Sequence, residues 1–175
     1  SFRDRSEQEE RSRDAQALAS MIQTASAMFM CCDRDLRITY VNPSVMQMLR
    51  KYEQEIRKEL PTFDCDSIIG TCIDDFHVNP SHQRRLLGDE RNLPAISELQ
   101  LGPLTFGVNA TALHDAKGNY IGNGVEWTDY NAREAYRDEV EKVSTAGREG
   151  RLDVRGDVER LDEVYRPMMA SINEI

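Results

Sequence analysis

The chain lacks most features of extracellular, membrane-spanning or nucleic-acid-binding proteins. Its 175 residues hold four cysteines and no CxxC pair, and two of these, Cys31 and Cys32, are adjacent, where a disulfide is strained. No apolar run approaches the ~20 residues that cross a bilayer. Basic residues are outnumbered, 22 against 31 acidic ones, and the net charge of −9 repels a phosphate backbone. We therefore expect reduced thiols, a cytoplasmic location, and binding to neither nucleic acid nor membrane.

Catalytic motifs are also missing. The sequence contains no nucleophile elbow, phosphate-binding loop, dinucleotide fingerprint or zinc-protease motif. The acidic group Asp64, Asp66, Asp74 and Asp75 lacks the alternating ligands and central glycine of a calcium loop. The cluster of methionines and cysteines fits a core better than a copper site; it consists of Met28, Met30, Cys31, Cys32, Met46 and Met48. The chain is therefore predicted not to be an enzyme.

The first half of the chain alternates between helical and strand periods. Apolar residues at spacings of three and four over residues 14–25 predict a helix that packs against another helix. Several shorter elements follow in the order strand (28–32), strand (38–42), helix from Pro43 with Asn42 as its cap, single turns (64–80), and helix from Pro80 with Asn79 as its cap and Gly88 at its end.

The second half predicts three strands and then two helices. The strands cover residues 96–101, 104–114 and 120–129, and a helix over 132–146 ends at Gly147 and Gly150. From Val158 to Ile175 apolar residues repeat at heptad spacing, interrupted only by Pro167, which either begins or kinks a helix. This order predicts an α+β domain between coiled-coil-like helices.

Histidine is scarce, with three in the chain. His77 follows Phe76, and His82 lies in the first turn of the Pro80 helix, so both are expected in one neighbourhood. The ordinary role of each is to bond local backbone. The alternative is axial ligation of haem iron by a neutral imidazole in an apolar pocket. His114, beside a hairpin turn, is expected to be exposed.

The single tryptophan, Trp127, lies at the centre of the last predicted strand. Strand alternation puts Val125, Trp127 and Asp129 on one face of the sheet. The ordinary interpretation of Trp127 is a core aromatic residue. When buried, however, its indole N–H needs an acceptor, and a diatomic ligand on a metal would be one.

Three segments together resemble PAS domains of bacterial methyl-accepting chemotaxis receptors. They are Phe76-His77-Val78-Asn79-Pro80-Ser81-His82-Gln83, the turn over residues 115–119, and the strand around Trp127; Tyr40-Val41-Asn42-Pro43 also matches the PAS pattern. The resemblance covers residues 25–129. It implies the PAS fold, a five-stranded antiparallel sheet with short helices, flanked by coiled-coil or HAMP helices. The implied domains are an N-terminal linker helix (1–24), a PAS sensor domain (25–130) and a partial HAMP signalling module (131–175).

Within that family the chain is most similar to soluble haem-PAS aerotaxis receptors. The resemblance implies haem b, with His77 as the proximal ligand of the iron, His82 as a pocket residue and Trp127 as the donor that stabilises O₂. Flavin is disfavoured because no photoactive-cysteine motif is present. We expect the apolar wall of the pocket to come from Leu86, Leu87, Leu99, Leu101, Phe106, Val108 and Val125.

The sequence thus predicts a haem-based gas sensor that relays its ligand state through the last strand to HAMP helices. The expected ligand is O₂, with CO and NO as alternatives. The expected partners are a second copy, through the helices, and chemotaxis signalling proteins, through further domains of a longer protein of which this chain is a fragment. Two alternatives stay open: a cofactor-free PAS that dimerises and relays signals, and a PAS that binds a small organic ligand in the same cavity.

Overall fold

The computed structural model describes residues 2–77 and 80–174. Its centre is one antiparallel five-stranded sheet with the strand order β2-β1-β5-β4-β3. The strands are β1 (Met28–Asp33), β2 (Ile38–Val41), β3 (Ala95–Leu101), β4 (Leu104–His114) and β5 (Tyr120–Asp129). The alternating sequence patterns predicted these strands, and the expected five-stranded antiparallel sheet of an α+β domain is confirmed.

Helices pack mainly on one face of this sheet and extend beyond it at both ends of the chain. They are α1 (Phe2–Thr24), α2 (Pro43–Glu59), α3 (Pro80–Gly88), α4 (Asn131–Arg148) and α5 (Arg166–Asn173). Single 3₁₀ turns lie at Cys65–Ser67 and Ile73–Phe76, in agreement with the predicted single turns between α2 and α3, and a third lies after α3 at Glu90–Asn92. The predicted cap of α3, Asn79, lies outside the described residues.

The main core lies between the inner face of the sheet and α2. On α2 the buried residues are Val45, Met48, Leu49 and Ile56, which recur at helical spacing. On the sheet, β4 buries Leu104, Phe106 and Ala110 at alternate positions. This alternation places every second residue of β4 and β5 toward the same interior.

Asn42 joins three elements at the N-terminal end of α2. Its Oδ1 accepts hydrogen bonds from the backbone N–H groups of Phe29 (3.0 Å) and Val45 (3.1 Å). Its Nδ2 donates to the carbonyl oxygens of Ile22 (3.1 Å) and Ala27 (2.8 Å). The side chain is fully buried, and these four bonds use its full donor capacity and both acceptor positions. Asn42 therefore holds the end of α1 and the start of β1 against α2.

Substitution of Asn42 by alanine is expected to lower the free energy of unfolding by about 3 kcal/mol. It removes a helix cap worth about 1 kcal/mol and leaves buried backbone groups unpaired. Urea denaturation followed by circular dichroism measures the change. The matched control is Asn92→Ala, since the Asn92 amide also bonds two carbonyl oxygens but lies at an exposed position. An equal loss in both variants would contradict the role given to Asn42.

The heptad pattern that starts at Val158 is helical only in its second part. Val158 and Leu161 lie in a turn-rich connector, and α5 starts only at Arg166, with Pro167 in its first turn, where its missing N–H costs no hydrogen bond. In the connector, the Asp157 carboxylate accepts a hydrogen bond from the backbone N–H of Glu159 (3.1 Å). Such local bonds compete with helix formation. Of the two roles open to Pro167, the structure shows the first: it begins a helix.

The connector returns along α4, so that α4 and α5 start side by side. The rings of Tyr136, in α4, and Tyr165, just before α5, stack with centroids 4.9 Å apart. Farther along, Gly156 fits against Met169, where an added Cβ would overlap the thioether sulfur. Gly156 and Asn173 also exchange two hydrogen bonds of 2.7 and 2.8 Å. These contacts are those of a parallel helix pair with the connector packed against it.

The N-terminal helix α1 is one continuous helix over Phe2–Thr24; it contains most of the seam predicted over residues 14–25 and agrees with a linker helix over residues 1–24. None of its described residues is buried, and Leu18 and Met21 are 59% and 67% exposed. The apolar seam predicted to pack on another helix therefore has no covering partner within the described part of this chain. Within residues 2–77 and 80–174, no helix has both the length and the apolar composition that a bilayer crossing requires.

Candidate functional site

A cavity of about 290 Å³ lies between the inner face of the sheet, α2, α3 and the turns that join these helices. All seven apolar residues expected in its wall are there. They are Leu86 and Leu87 from α3, Leu99 and Leu101 from β3, Phe106 and Val108 from β4, and Val125 from β5. The strand residues among them occupy alternate positions, as period-two patterning requires.

His77 lies in the cavity wall directly after the 3₁₀ turn Ile73–Phe76. Its Nδ1 is 2.6 Å from the carbonyl oxygen of Ile73. A carbonyl oxygen can only accept, so Nδ1 carries the proton in this contact. The neutral ring therefore has its lone pair on Nε2. A carbonyl that fixes the tautomer in this way is the usual support of a metal-binding imidazole.

The turn that carries His77 is attached to α3 by an ion pair. The Asp74 carboxylate accepts a hydrogen bond from Nε of Arg84 (2.5 Å). The Asp74 carbonyl oxygen accepts one from the backbone N–H of His77 (3.1 Å). These contacts attach the turn to α3 and the His77 backbone to the turn.

Trp127 lies in the same wall, at the β5 side of the cavity. Its ring packs edge-on against Phe106 with centroids 5.8 Å apart. The indole Nε1 is buried and has no hydrogen-bond partner among residues 2–77 and 80–174. Because a buried donor normally finds an acceptor, this N–H is a candidate contact for a polar ligand in the cavity.

His82 does not join this group, contrary to the prediction that it is a pocket residue. Its side chain is exposed, and the cavity wall contains the next residue, Gln83, instead. The reason is helical geometry: the wall residues of α3 are centred near Gln83, and His82 lies about 100° away around the helix. His114, expected to be exposed, is 41% exposed and lies 2.5 Å from the Glu90 carboxylate.

Some wall residues were missed by the sequence analysis. Gln83, Ile56 of α2 and Leu60, the residue directly after α2, line the cavity. A signal for Ile56 is present in the sequence, because it follows the buried Leu49 by seven residues, two helical turns. Gln83 stands out only as a polar residue on the inner face of a short helix.

The cysteines and acidic residues do not form a second chemical site. All four cysteines are free. Burial, followed by the nearby Glu53 carboxylate, raises the pKa of Cys65 to about 11, so this thiol stays protonated at neutral pH. Asp64 caps its own 3₁₀ turn. Among the residues the structure describes, no group of three His, Cys, Asp or Glu side chains could hold a metal ion.

The residues of the cavity nevertheless fit haem. A porphyrin needs one protein ligand for its iron and an apolar pocket that excludes water. His77 supplies a backbone-fixed imidazole, and the wall is predominantly leucine, isoleucine, valine and phenylalanine. The unpaired indole N–H of Trp127 supplies a donor for a polar ligand beside such a metal. A haem site requires one protein ligand for the iron, and the His77 imidazole is a suitable ligand.

Comparison with known proteins places this geometry in a family. A PAS domain family model matches residues 16–92. The methyl-accepting chemotaxis protein McpB of Pseudomonas aeruginosa is 36% identical over 140 residues, which are 79% of this chain and 20% of that protein. The chain thus spans only a fifth of the length of this relative.

A solved structure extends the comparison to the fold. The Aer2 receptor of Vibrio cholerae, described as a dual PAS-heme oxygen sensor, is 35% identical, and the match covers 59% of this chain and 93% of that one with a TM-score of 0.57. Since the match includes nearly all of that chain, and the sheet order and family model agree with it, this chain belongs to the PAS domain family.

Proposed function

We propose that this PAS domain is a haem-based sensor of O₂ in a bacterial chemoreceptor. The observation that carries the proposal is the buried, unpaired indole N–H of Trp127 in the wall of a cavity that also contains His77. The similarity to McpB supports the chemoreceptor assignment, and the similarity to Aer2 supports haem and O₂. The role is that of a cytoplasmic, non-enzymatic signalling module.

In this proposal His77 holds the cofactor through Nε2. When bound, haem supplies an iron atom that takes a diatomic gas as its ligand. The hydrogen bond from Nδ1 to the Ile73 carbonyl oxygen orients the imidazole ring, and in the neutral ring it leaves the lone pair on Nε2. The ion pair between Asp74 and Arg84 holds the turn in place against α3. The leucines of α3 and β3 exclude water from the pocket.

Trp127 distinguishes the liganded from the empty pocket. Its N–H would donate a hydrogen bond to a diatomic ligand held in the pocket, and that bond would be stronger for a ligand with partial negative charge than for a neutral one. In the absence of a ligand the donor stays unpaired at a cost of about 1–3 kcal/mol. Ligand binding removes that cost. The equilibrium between two positions of β5 can shift only by as much free energy as the ligand's affinity differs between these two conformations.

The signal leaves through β5, because α4 begins two residues after this strand ends. We assign residues 131–175 to a partial HAMP module. Two features support this assignment, since HAMP helices run parallel. The N-terminal regions of α4 and α5 are in contact, and the connector packs along both helices. Two copies of the chain assemble through their helices, and the uncovered apolar seam of α1 supports such a homodimer. Chemotaxis signalling proteins are the partners of the longer receptor.

A cofactor-free PAS relay is the second candidate. The observation behind it is the cavity volume of about 290 Å³, which is at the lower limit of the ~300–1,000 Å³ usual for ligand pockets. In such a relay the dimer would transmit helix movements and His77 would serve only as a structural bond to Ile73.

An absorption spectrum separates the two candidates. Purified protein incubated with haem and passed over a desalting column is expected to keep a Soret band, which shifts when dithionite and then O₂ or CO are added. Circular dichroism in parallel checks that the protein is folded. Folded protein that elutes colourless after this treatment would leave the cofactor-free relay as the function.

A further inference from the structure

Three aromatic rings form a continuous path from the cavity to the start of α4. Trp127, in the wall, meets Phe106 edge-on with centroids 5.8 Å apart. Phe106 is almost fully buried and meets Tyr52 of α2 in the same manner at 5.7 Å. Close-packed rings of this kind have few alternative arrangements, so a change at one end is felt at the other.

The far end of the path is a hydrogen-bonded junction at the start of α4. The Tyr52 hydroxyl donates to Oδ2 of Asp129 (2.8 Å). Oδ1 of Asp129 accepts from the backbone N–H and the side-chain amide of Asn131 (2.9 and 2.7 Å). Asn131 Oδ1 in turn accepts from the backbone N–H of Thr105 at the start of β4 (2.9 Å). The orientation of the first turn of α4 thus depends on the Asp129 carboxylate.

Tyr52 also borders the C-terminal module. It lines a second cleft together with Leu161, Asp162 and Arg166 of the connector and α5. Burial and the hydrogen bond to Asp129 raise the pKa of the Tyr52 phenol well above its usual value, so it remains a donor throughout the physiological pH range. One side chain therefore contacts a cavity residue, the end of β5 and the cleft against the connector.

We propose that Tyr52 is the positioning residue that couples the cavity to the first turn of α4. The Tyr52 ring packs against Phe106, which packs against Trp127, so a movement of Trp127 moves the Tyr52 ring. The Tyr52 hydroxyl moves with its ring and displaces the Asp129 carboxylate to which it donates a hydrogen bond. The gas-dependent part of this inference rests on the proposed function. The packing relay itself exists in the protein without cofactor and is tested there.

The test compares Tyr52→Phe with Tyr52→Leu in the cofactor-free chain by hydrogen exchange and tryptophan fluorescence. Tyr52→Phe removes only the hydroxyl, so amides in the first two turns of α4 are expected to exchange about tenfold faster, while β4 and β5 amides do not change. Emission from Trp127, the only tryptophan, should also stay the same. Tyr52→Leu removes the ring as well, and a red shift of that emission is expected in addition.

The matched control is Tyr40→Phe, which also removes a tyrosine hydroxyl that bonds one side chain, Gln23. It should leave α4 unchanged. Asp129→Ala removes the acceptor and leaves all three rings, so it should reproduce the local effect even if a Tyr52 variant does not fold. Uniformly faster exchange through the sheet and α4 would show a purely structural role and overturn the proposal, as would unchanged exchange.

The same variants in haem-loaded protein add the gas-dependent test. If addition of CO alters α4 exchange in the parent protein, that response should fall at least severalfold in Tyr52→Phe. An undiminished response would overturn the coupling role. If the protein takes up no haem, the proposed function fails, while the cofactor-free comparison still decides the role of Tyr52.

Discussion

Substitution of His77 by alanine is expected to lower the affinity of the protein for haem by at least about a hundredfold, because loss of even an indirect metal support costs 10- to 100-fold. The fold should persist, since His77 is only partly buried and, among residues 2–77 and 80–174, its side chain makes one hydrogen bond, to the Ile73 carbonyl oxygen. The measurement is titration of the cofactor-free protein with haem, followed at the Soret band. Added imidazole is expected to restore part of the band by occupying the space left by the ring.

The chain contains its own controls for this experiment. His82 is exposed and outside the cavity wall. His114 is the last residue of β4 and lies beside Glu90, also outside the cavity wall. His82→Ala and His114→Ala should therefore bind haem as the parent protein does. Normal haem affinity in His77→Ala, or an equal loss in His82→Ala, would contradict the assignment of the ligand.

Substitution of Trp127 by leucine is expected to leave haem in place but to weaken O₂ binding by about 10- to 100-fold. A hydrogen bond to a charged acceptor is worth about 1.5–3 kcal/mol, which corresponds to that range. The loss should appear mainly as faster O₂ dissociation, measured by stopped-flow absorption. Affinity for CO should change much less, because CO carries less negative charge and accepts hydrogen bonds poorly.

Val125→Ala is the matched control for Trp127→Leu. Val125 lies two residues earlier on the same strand and lines the same cavity, but it has no donor. It should change O₂ and CO binding by similar, small factors. A loss of O₂ affinity in Val125→Ala as large as that in Trp127→Leu would mean that the cavity shape, and not the indole N–H, determines O₂ affinity.

The strand residues of the cavity could be predicted because β periodicity is short and regular. Leu99, Leu101, Phe106, Val108 and Val125 all fall at alternate positions of strands whose turns are marked by glycine, proline or asparagine. Once the strands are assigned, alternation alone places these side chains on one face. The same regularity identified the face of Trp127.

The helical contributions were harder to predict, for physical reasons. His82 belongs to the same short motif as His77, yet the rotation of α3 turns it to solvent while Gln83 faces the cavity. The heptad pattern from Val158 onward depends only on the spacing of apolar residues. It does not reflect the local hydrogen bonds of the Asp157 and Asp162 side chains, which favour turns over helix.

Contacts between distant residues left no local signal at all. Tyr52 and Asp129 are 77 positions apart, and the pattern around Tyr52 is simply that of an amphipathic helix. The identity of Asn42 as a cap was predictable from Pro43, but its bonds to Ile22 and Ala27 depend on where α1 meets the sheet. Such junctions are known only when the tertiary packing is known.

The attachment of α1 through Asn42 gives the N-terminal helix the geometry of a lever. With 23 residues, α1 is about 34 Å long at 1.5 Å per residue. Its C-terminal end meets the sheet domain at Ile22, while Phe2 lies at the opposite end. A tilt of about 6° at this pivot displaces the tip by about 3.5 Å, for a helix of that length. Such a displacement, comparable to an atomic diameter, follows from a tilt of only a few degrees where α1 is attached to Asn42.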